Sequence, residues 1–190
     1  MSPITRVPIM TQRYQHFLFL SLCLIAGCVP ESDNDLPATL LHDDERIVGE
    51  FRSNDEKDRT KARIHKVHDK NGHYVILDEK KAERVLFRLF KIGDQEFISV
   101  KLKNAEGVEF GGYMFGRLSV SRTQLAVEML QGKWFIANPE AVPGTEIDLR
   151  FKKVRLQASP RQLEHFFQGH ADSRAVFDVE HPIIYKRAGT

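Results

Sequence analysis

The chain has 190 residues, of which 42% are hydrophobic, and its 28 Lys and Arg against 26 Asp and Glu give a formal net charge of +2. This balance gives no electrostatic reason to expect a nucleic-acid partner. Two cysteines are too few for a disulfide framework, and the length fits one domain with one core.

The N-terminal segment predicts export from the cytoplasm. Arg6 and Arg13 precede a largely apolar run that ends at Ile25 and is followed by small residues. Positive residues, an apolar stretch of about ten residues and a small-residue cleavage site make up a secretory signal. A transmembrane anchor is the weaker alternative, because a bilayer span needs about 20 apolar residues. A start at Met1 or at Met10 gives the same processed chain.

The end of this segment resembles the lipobox of bacterial lipoproteins. It reads Leu24-Ile25-Ala26-Gly27-Cys28. The resemblance implies a signal peptide over residues 1–27 and a diacylglycerol, carrying acyl chains such as palmitate, linked through a thioether to Cys28. Val29 stands where lipoproteins retained in the inner membrane have Asp. This implies anchoring in the outer membrane with the domain facing the periplasm, ahead of the inner membrane or the cell surface. An ordinary signal peptidase site is the alternative.

Processing at this site changes the charge and the thiol content of the protein. Residues 1–27 contain Arg6 and Arg13 and no acidic residue, so 26 basic and 26 acidic residues remain and the formal charge becomes zero. Cys23 leaves with the signal and Cys28 is consumed by the lipid. The processed chain therefore has no thiol that could act as a nucleophile.

The residues after the cysteine predict a flexible tether. The segment over 28–45 is acidic, contains two prolines and has few periodic apolar residues. We therefore expect an acylated cysteine and a solvated linker, followed by one β-rich domain over residues 46–190. Docking of Leu36, Leu40 and Leu41 on that domain is the alternative.

The rest of the chain predicts short antiparallel strands and one late helix. An alternation that slips by one residue near Lys152 and Lys153 indicates a bulge or turn inside the longest segment. Ser159 and Pro160 are typical of a helix start, and apolar residues at helical spacing continue it to between 169 and 172. The last strand contains Pro182 and is therefore expected to lie at a sheet edge or to leave the sheet at that residue. The predicted strands cover 46–52, 60–68, 73–78, 85–91, 96–102, 112–120, 125–130, 133–138, 145–157 and 175–185.

One predicted hairpin has a well-determined register. A two-residue loop at Gly93 and Asp94 pairs Leu89 with Ile98 and continues outward in the same register. The pairing collects apolar residues on one face and polar residues on the other, which is typical of a sheet covered on one side. The apolar face holds Val85, Phe87, Leu89, Ile98, Val100 and Leu102.

These elements predict a mainly β protein, either a small antiparallel β-barrel or a sandwich, with one C-terminal helix. The element order over about residues 46–187 is similar to that of the lipocalins, in which a Gly-x-Trp motif lies on the first strand and a helix follows the barrel. Gly49-Glu50-Phe51 occupies the motif position, with Phe in place of Trp. The resemblance implies a barrel that binds an apolar molecule.

Two groups of residues are candidate binding sites. A four-residue loop in the hairpin over 60–78 would place His68 opposite His73, close enough to share a metal ion, whereas a two-residue loop at Asn71 and Gly72 would separate them. We expect a solvated hairpin there, with no metal and no other cofactor. An apolar pocket inside a barrel would have as candidate wall residues Phe87, Leu89, Tyr113 and Phe115.

The sequence contains no recognisable catalytic set. No Gly-x-Ser-x-Gly or Ser-x-x-Lys motif occurs, and acidic residues such as Asp43, Asp44 and Glu79 lie in polar stretches. We therefore expect a lipid-anchored, non-catalytic interaction protein with an envelope protein as partner: an inhibitor, an immunity protein or an accessory factor of an envelope system. The alternative is a lipocalin-like carrier of an apolar small molecule.

Overall fold

An antiparallel barrel, closed by eight strands of the described chain, forms the centre of the structure. The computed structural model describes residues 29–54, 61–67, 71–78, 84–103 and 109–189. Seven strands follow one another as a meander, and the last strand of the chain pairs with the seventh and the first to close the ring. The barrel strands are β2 (Gly49–Ser53), β3 (Lys61–Lys66), β4 (His73–Asp78), β5 (Arg84–Ile92), β6 (Gln95–Lys103), β7 (Glu109–Val120), β8 (Gln124–Met129) and β11 (Ile183–Arg187).

A smaller β extension and two helices lie outside this ring. β1 (Glu31–Ser32) lies against β7 where Ser32 faces Tyr113, and it pairs in parallel with β10 (Lys153–Leu156). β10 forms an antiparallel hairpin with β9 (Thr145–Asp148). Both α1 (Gly132–Ala137) and α2 (Pro160–His170) occur between β8 and β11 in the chain. The mainly β prediction is therefore confirmed, and the architecture is the barrel rather than the sandwich.

Side chains that point into the barrel form one hydrophobic core. Alternate residues of a strand point to opposite faces, so each barrel strand contributes every second residue to the interior. All eight strands supply apolar side chains to this inner core, which also takes in Val29 and Ile47. Its buried members are Val29, Ile47, Phe51, Ile64, Tyr74, Phe87, Leu89, Ile98, Met114, Leu118, Leu125, Val127 and Met129, and Ile183 and Tyr185 of β11 pack against them.

A second hydrophobic core lies on the outer face of β5, β6 and β7. The residues between the inward-facing ones on these strands point outward, and the two helices, β10 and nearby segments cover them. Three phenylalanines from two barrel strands and α2 show the arrangement: Phe97 and Phe115 both contact Phe167, with ring centroids 5.0 and 5.3 Å apart. The buried members of this outer core are Leu36, Phe90, Ile92, Phe97, Phe115, Leu130, Phe135, Val142, Val154, Leu156, Ala158, Leu163, Phe166, Phe167, Val176 and Phe177.

The hairpin of β5 and β6 has the predicted register. Leu89 lies opposite Ile98, Lys91 lies opposite Glu96, and the loop is at Gly93 and Asp94. The expectation that this sheet is covered on one side was wrong. Phe90, Ile92 and Phe97 on the second face are buried as well, because the outer core packs against that face.

Two other strand predictions were wrong. Residues 133–138 form helix α1 instead of a strand, although Trp134, Phe135 and Ile136 are strand-favouring types. Tertiary contacts decide the conformation here: Gln131 before the helix donates from Nε2 to the Phe177 carbonyl (2.7 Å), and the Phe135 ring packs 5.4 Å from the Phe166 ring. The segment over 145–157 is two strands, because the expected turn at Lys152 reverses the chain completely.

Of the two predicted C-terminal elements, the helix is confirmed and the position of the last strand is corrected. The predicted helix is present, and its capping box is complete: Ser159 Oγ accepts from Gln162 N, and Gln162 Oε1 accepts from Ser159 N. The last strand begins after Pro182 instead of spanning it, because proline has no N–H for the ladder. β11 also has neighbours on both sides and is not an edge strand.

The segment expected to be a tether instead packs against the barrel. Residues 29–48, which we call the N-terminal strap, cross the outside of β7, β6 and β5 before β2 begins. Ser32 and Leu36 are buried, and the Leu41 backbone bridges to Phe90. The strap has few apolar residues, but they are enough to hold it in place, because each one packs into a core that the barrel has already formed.

Gly116 of β7 marks a place where two barrel strands come very close. A Cβ at this position would lie 2.7 Å from Val127 Cγ1 and 3.0 Å from Met129 Sδ. We expect Gly116→Ala to lower the free energy of unfolding by about 1–3 kcal/mol through overpacking, measured by denaturant unfolding. Gly169→Ala in α2 is the control, since nothing lies within 4 Å of its Cβ. It should stabilise the helix by about 0.5–1 kcal/mol, and equal effects of the two changes would contradict this account of β7.

Candidate functional site

The barrel interior is the first candidate site, and side chains pack it. Phe51, Tyr74 and Leu89 are almost completely buried, and the Tyr74 and Phe87 rings stack with centroids 5.4 Å apart. Ile47, from a 3₁₀ turn over Glu45–Ile47, covers one end and is itself buried. Apolar side chains of all eight strands thus form one contact cluster inside the barrel.

The structure divides the predicted pocket residues between the two cores. Phe87 and Leu89 point into the barrel, as expected of wall residues. Phe115 belongs to the outer core and Tyr113 packs against it. The four residues therefore do not line one pocket, because Tyr113 and Phe115 have the opposite parity on β7 from the inward-facing Met114.

The N-terminal strap is held along its length by backbone hydrogen bonds to the barrel and the extension. Asp33 N donates to the Leu156 carbonyl at 3.0 Å, and His42 N donates to the Leu89 carbonyl at 3.0 Å. Near its end, Asp44 N donates to the Tyr74 hydroxyl at 2.9 Å. These bonds run from the outer extension to the mouth of the barrel, so the strap fixes the two parts to each other.

A buried ion pair joins the strap to the barrel wall. The Arg88 guanidinium of β5 donates to the Asp35 carboxylate of the strap, and Arg88 also lies over the rings of Phe90 and Tyr113, at 5.6 and 5.9 Å. Burial raises the pKa of Asp35, and the adjacent Arg88 charge acts in the opposite direction. Sequence reasoning missed this pair, and the signal for it was the arginine between the apolar neighbours Phe87 and Leu89.

The histidines of the hairpin of β3 and β4 are spread out. The ladder places His65 opposite Val75, and Val67 N donates to the His73 carbonyl at 2.8 Å, so neither loop length considered for this hairpin is present. His68 lies outside the described residues. Within the described part of the chain, no three His, Cys, Asp or Glu side chains are grouped closely enough to hold a metal ion.

The turn between β9 and β10 carries the large hydrophobic side chains that stay exposed in the described chain. Leu149 is 71% exposed and Phe151 is 62% exposed. The turn is well defined: Asp148 Oδ1 accepts from Arg150 N (3.0 Å) and Phe151 N (3.2 Å), and Lys152 has a φ of 51°. Arg150 lies 5.2 Å above the Phe151 ring. An ordered turn therefore presents two apolar side chains to the surroundings.

The lipidation candidate, Cys28, precedes the first described residue and lies outside the structure. The helices that the structure does describe include none long and apolar enough to cross a bilayer. No protein-family model, no curated protein and no solved structure matches the chain. The function therefore has to be argued from the residues and geometry of this chain.

The buried ion pair gives a test of the strap. Asp35→Ala leaves the Arg88 guanidinium buried without its partner, and we expect a loss of about 3 kcal/mol in the free energy of unfolding. The matched control is Asp33→Ala, which removes a pair with the exposed Arg155 that bridges the strap and β10. This control should be close to wild type. Similar denaturation midpoints for the two variants would contradict a locked strap.

A second test uses the pH dependence of Asp44, at the barrel mouth. Burial alone would raise the pKa of Asp44, but the hydrogen bonds and charge of Arg46 outweigh it and lower the pKa below 3.8. The carboxylate therefore stabilises the fold above its unfolded pKa, and this contribution is lost as the pH falls through the folded pKa. We expect Asp44→Asn to cost about 1 kcal/mol at neutral pH, since Arg46 is solvent-exposed, and to match wild type near pH 2. A difference that persists there would contradict the assignment.

Proposed function

We propose that the protein is a lipoprotein of the bacterial envelope, acylated on Cys28 and anchored in the outer membrane with its barrel facing the periplasm. The barrel acts without catalysis, as a rigid body that binds another envelope protein through its outer surface. Inhibitors, immunity proteins and accessory factors of envelope machines work in this way. The lipobox pattern supports the anchor, and the fold supports the mode of binding.

The packed barrel interior is the observation that carries this proposal. The inward side chains of all eight strands form one buried apolar cluster, which supports a rigid barrel that works through its outer surface. The outer core covers β5, β6 and β7 as well. Among the described residues, β2, β3 and β4 contribute no side chain to the outer core, and neither do β8 and β11. We place the partner on the wall formed by β2, β3 and β4 with the adjoining outer face of β5.

This uncovered wall has a composition suited to a protein partner. Val75 on β4 and Leu86 on β5 lie side by side, partly exposed and outside both hydrophobic cores. The neighbouring strand β3 presents exposed Arg63 and His65 next to them. An apolar centre with a charged rim is the usual arrangement of a protein interface.

A lipocalin-like binder of an apolar molecule is the second candidate, and the closed eight-stranded barrel favours it. Native mass spectrometry of the purified protein distinguishes the two. A stoichiometric lipid or other apolar molecule bound to the protein, lost after Leu89→Trp but kept after the outer-wall change Val75→Trp, would favour the carrier and contradict a packed interior.

The anchor has a direct test. We expect cells that make the protein to incorporate a palmitate analogue into it, and Cys28→Ser to abolish the label and release the protein from the membrane fraction. Two or three acyl chains bind essentially irreversibly, at about 0.8 kcal/mol per buried methylene. A palmitate label that Cys28→Ser retains would contradict acylation at this residue.

The partner surface is tested by site-specific photo-crosslinking in intact cells. We expect a crosslinker at position 75 to give one discrete adduct with an envelope protein, and that adduct to disappear when His65 and Arg63 are changed to Glu. Position 168, exposed on the far side of the outer core, is the control. Adducts of equal yield from positions 75 and 168 would contradict a specific interface on the uncovered wall.

A further inference from the structure

The exposed turn between β9 and β10 lies at the end of the molecule where the described chain begins. β1 and β10 are parallel, with Glu31 opposite Arg155 and Ser32 opposite Leu156. The turn ends directly before β10, and Val29 precedes β1 by two residues, with its side chain in the inner core. Cys28 is bonded to Val29, and consecutive Cα atoms are about 3.8 Å apart. The chain therefore enters β1 from the end of the extension at which the turn lies, and a lipid on Cys28 is attached on that side.

The strap leaves no free tether between that lipid and the folded domain. Val29 and Pro30 are buried, and Ser32 Oγ donates to the Leu156 carbonyl. A solvated linker over residues 29–45 could have separated the domain from the bilayer by tens of ångströms. Because Val29 is buried in the inner core and the strap pairs with β10 from Glu31 on, the domain is held close to the membrane to which Cys28 is fixed.

The side chains of the turn fit the surface of a bilayer. Leu149 and Phe151 are apolar and point away from both cores, while Arg150, Lys152 and Lys153 are exposed cations in the same five-residue stretch. No acidic residue interrupts it. Apolar side chains favour the boundary between headgroups and acyl chains, and adjacent cations favour anionic headgroups.

We propose that the turn over residues 149–153 is a membrane-contact site, in which Leu149 and Phe151 insert between phospholipid headgroups and the three cations bind anionic phospholipid. The inference rests on the proposed acylation of Cys28. The acyl chains supply the affinity for the membrane, and the turn fixes the orientation of the domain on the membrane surface. The domain then stands on the membrane with the β9 and β10 end down, instead of turning freely about its anchor.

A reporter can be attached to the mature protein at one chosen position. Cys23 is removed with the signal and Cys28 is acylated, so a cysteine introduced by Leu149→Cys is the single reactive thiol. The full-length protein is produced with its signal, purified in detergent and reconstituted into vesicles of phosphatidylethanolamine and phosphatidylglycerol. A nitrobenzoxadiazole label on the cysteine reports burial in lipid through its blue shift and its protection from dithionite.

Arg161→Cys is the matched control, because Arg161 is exposed and lies in the first turn of α2, beyond the opposite end of β10. We expect dithionite to reduce the label at position 149 at least about threefold more slowly than the label at position 161. Changing Arg150, Lys152 and Lys153 to Gln, or replacing the lipids by phosphatidylcholine, should remove most of the difference.

The outcomes separate the turn from the anchor. An acylated protein whose label at 149 is reduced as fast as that at 161 overturns the membrane-contact site and leaves the anchor intact. Protection at 149 that disappears when fewer protein copies are reconstituted per vesicle shows that a second copy of the chain covers the turn, and it overturns the inference too. A protein without the palmitate label overturns the proposed anchor, and the membrane-contact site with it.

Discussion

The structure depends on one wall with a hydrophobic core on each side. In β5, β6 and β7, neighbouring residues such as Leu89 and Phe90, or Met114 and Phe115, belong to different cores. The strict alternation of side chains in a strand makes this possible, and it makes the register of these three strands essential to the whole molecule. A slip of one residue would exchange the two sets of side chains and leave both cores badly packed.

Local patterns in the sequence were sufficient where a short stretch determines its own structure. The register of the hairpin at Gly93 and Asp94 follows from its two-residue turn, and the start of α2 follows from Ser159 and Pro160. The strand predictions were wrong where contacts with distant parts of the chain determine the local conformation. The aromatic residues of α1 form a helix because Phe166 and Phe177, more than 25 positions away, provide their surroundings. Composition alone gave the wrong result for the strap, since a few well-placed leucines outweigh its acidic character.

Local sequence patterns were also insufficient for the candidate site. Phe87, Leu89, Tyr113 and Phe115 are all apolar residues in strands, and nothing local in the sequence shows which side of the wall each one faces. Arg88 lies between two apolar residues, which signals a buried charge, but its partner Asp35 lies 53 positions earlier and nothing local in the sequence identifies it. The closed ring and the strap bring them together, so their pairing depends on the topology.

The strap also sets the order in which the protein can mature. Its binding partner β10 lies about 124 positions later in the chain, and contacts of such long separation form late in folding. Until the barrel strands and β10 have been synthesised, the first residues of the strap have no surface to dock on. The strap can therefore close against the extension only after most of the chain has been made, and its contacts hold together the two ends of a segment of about 124 residues.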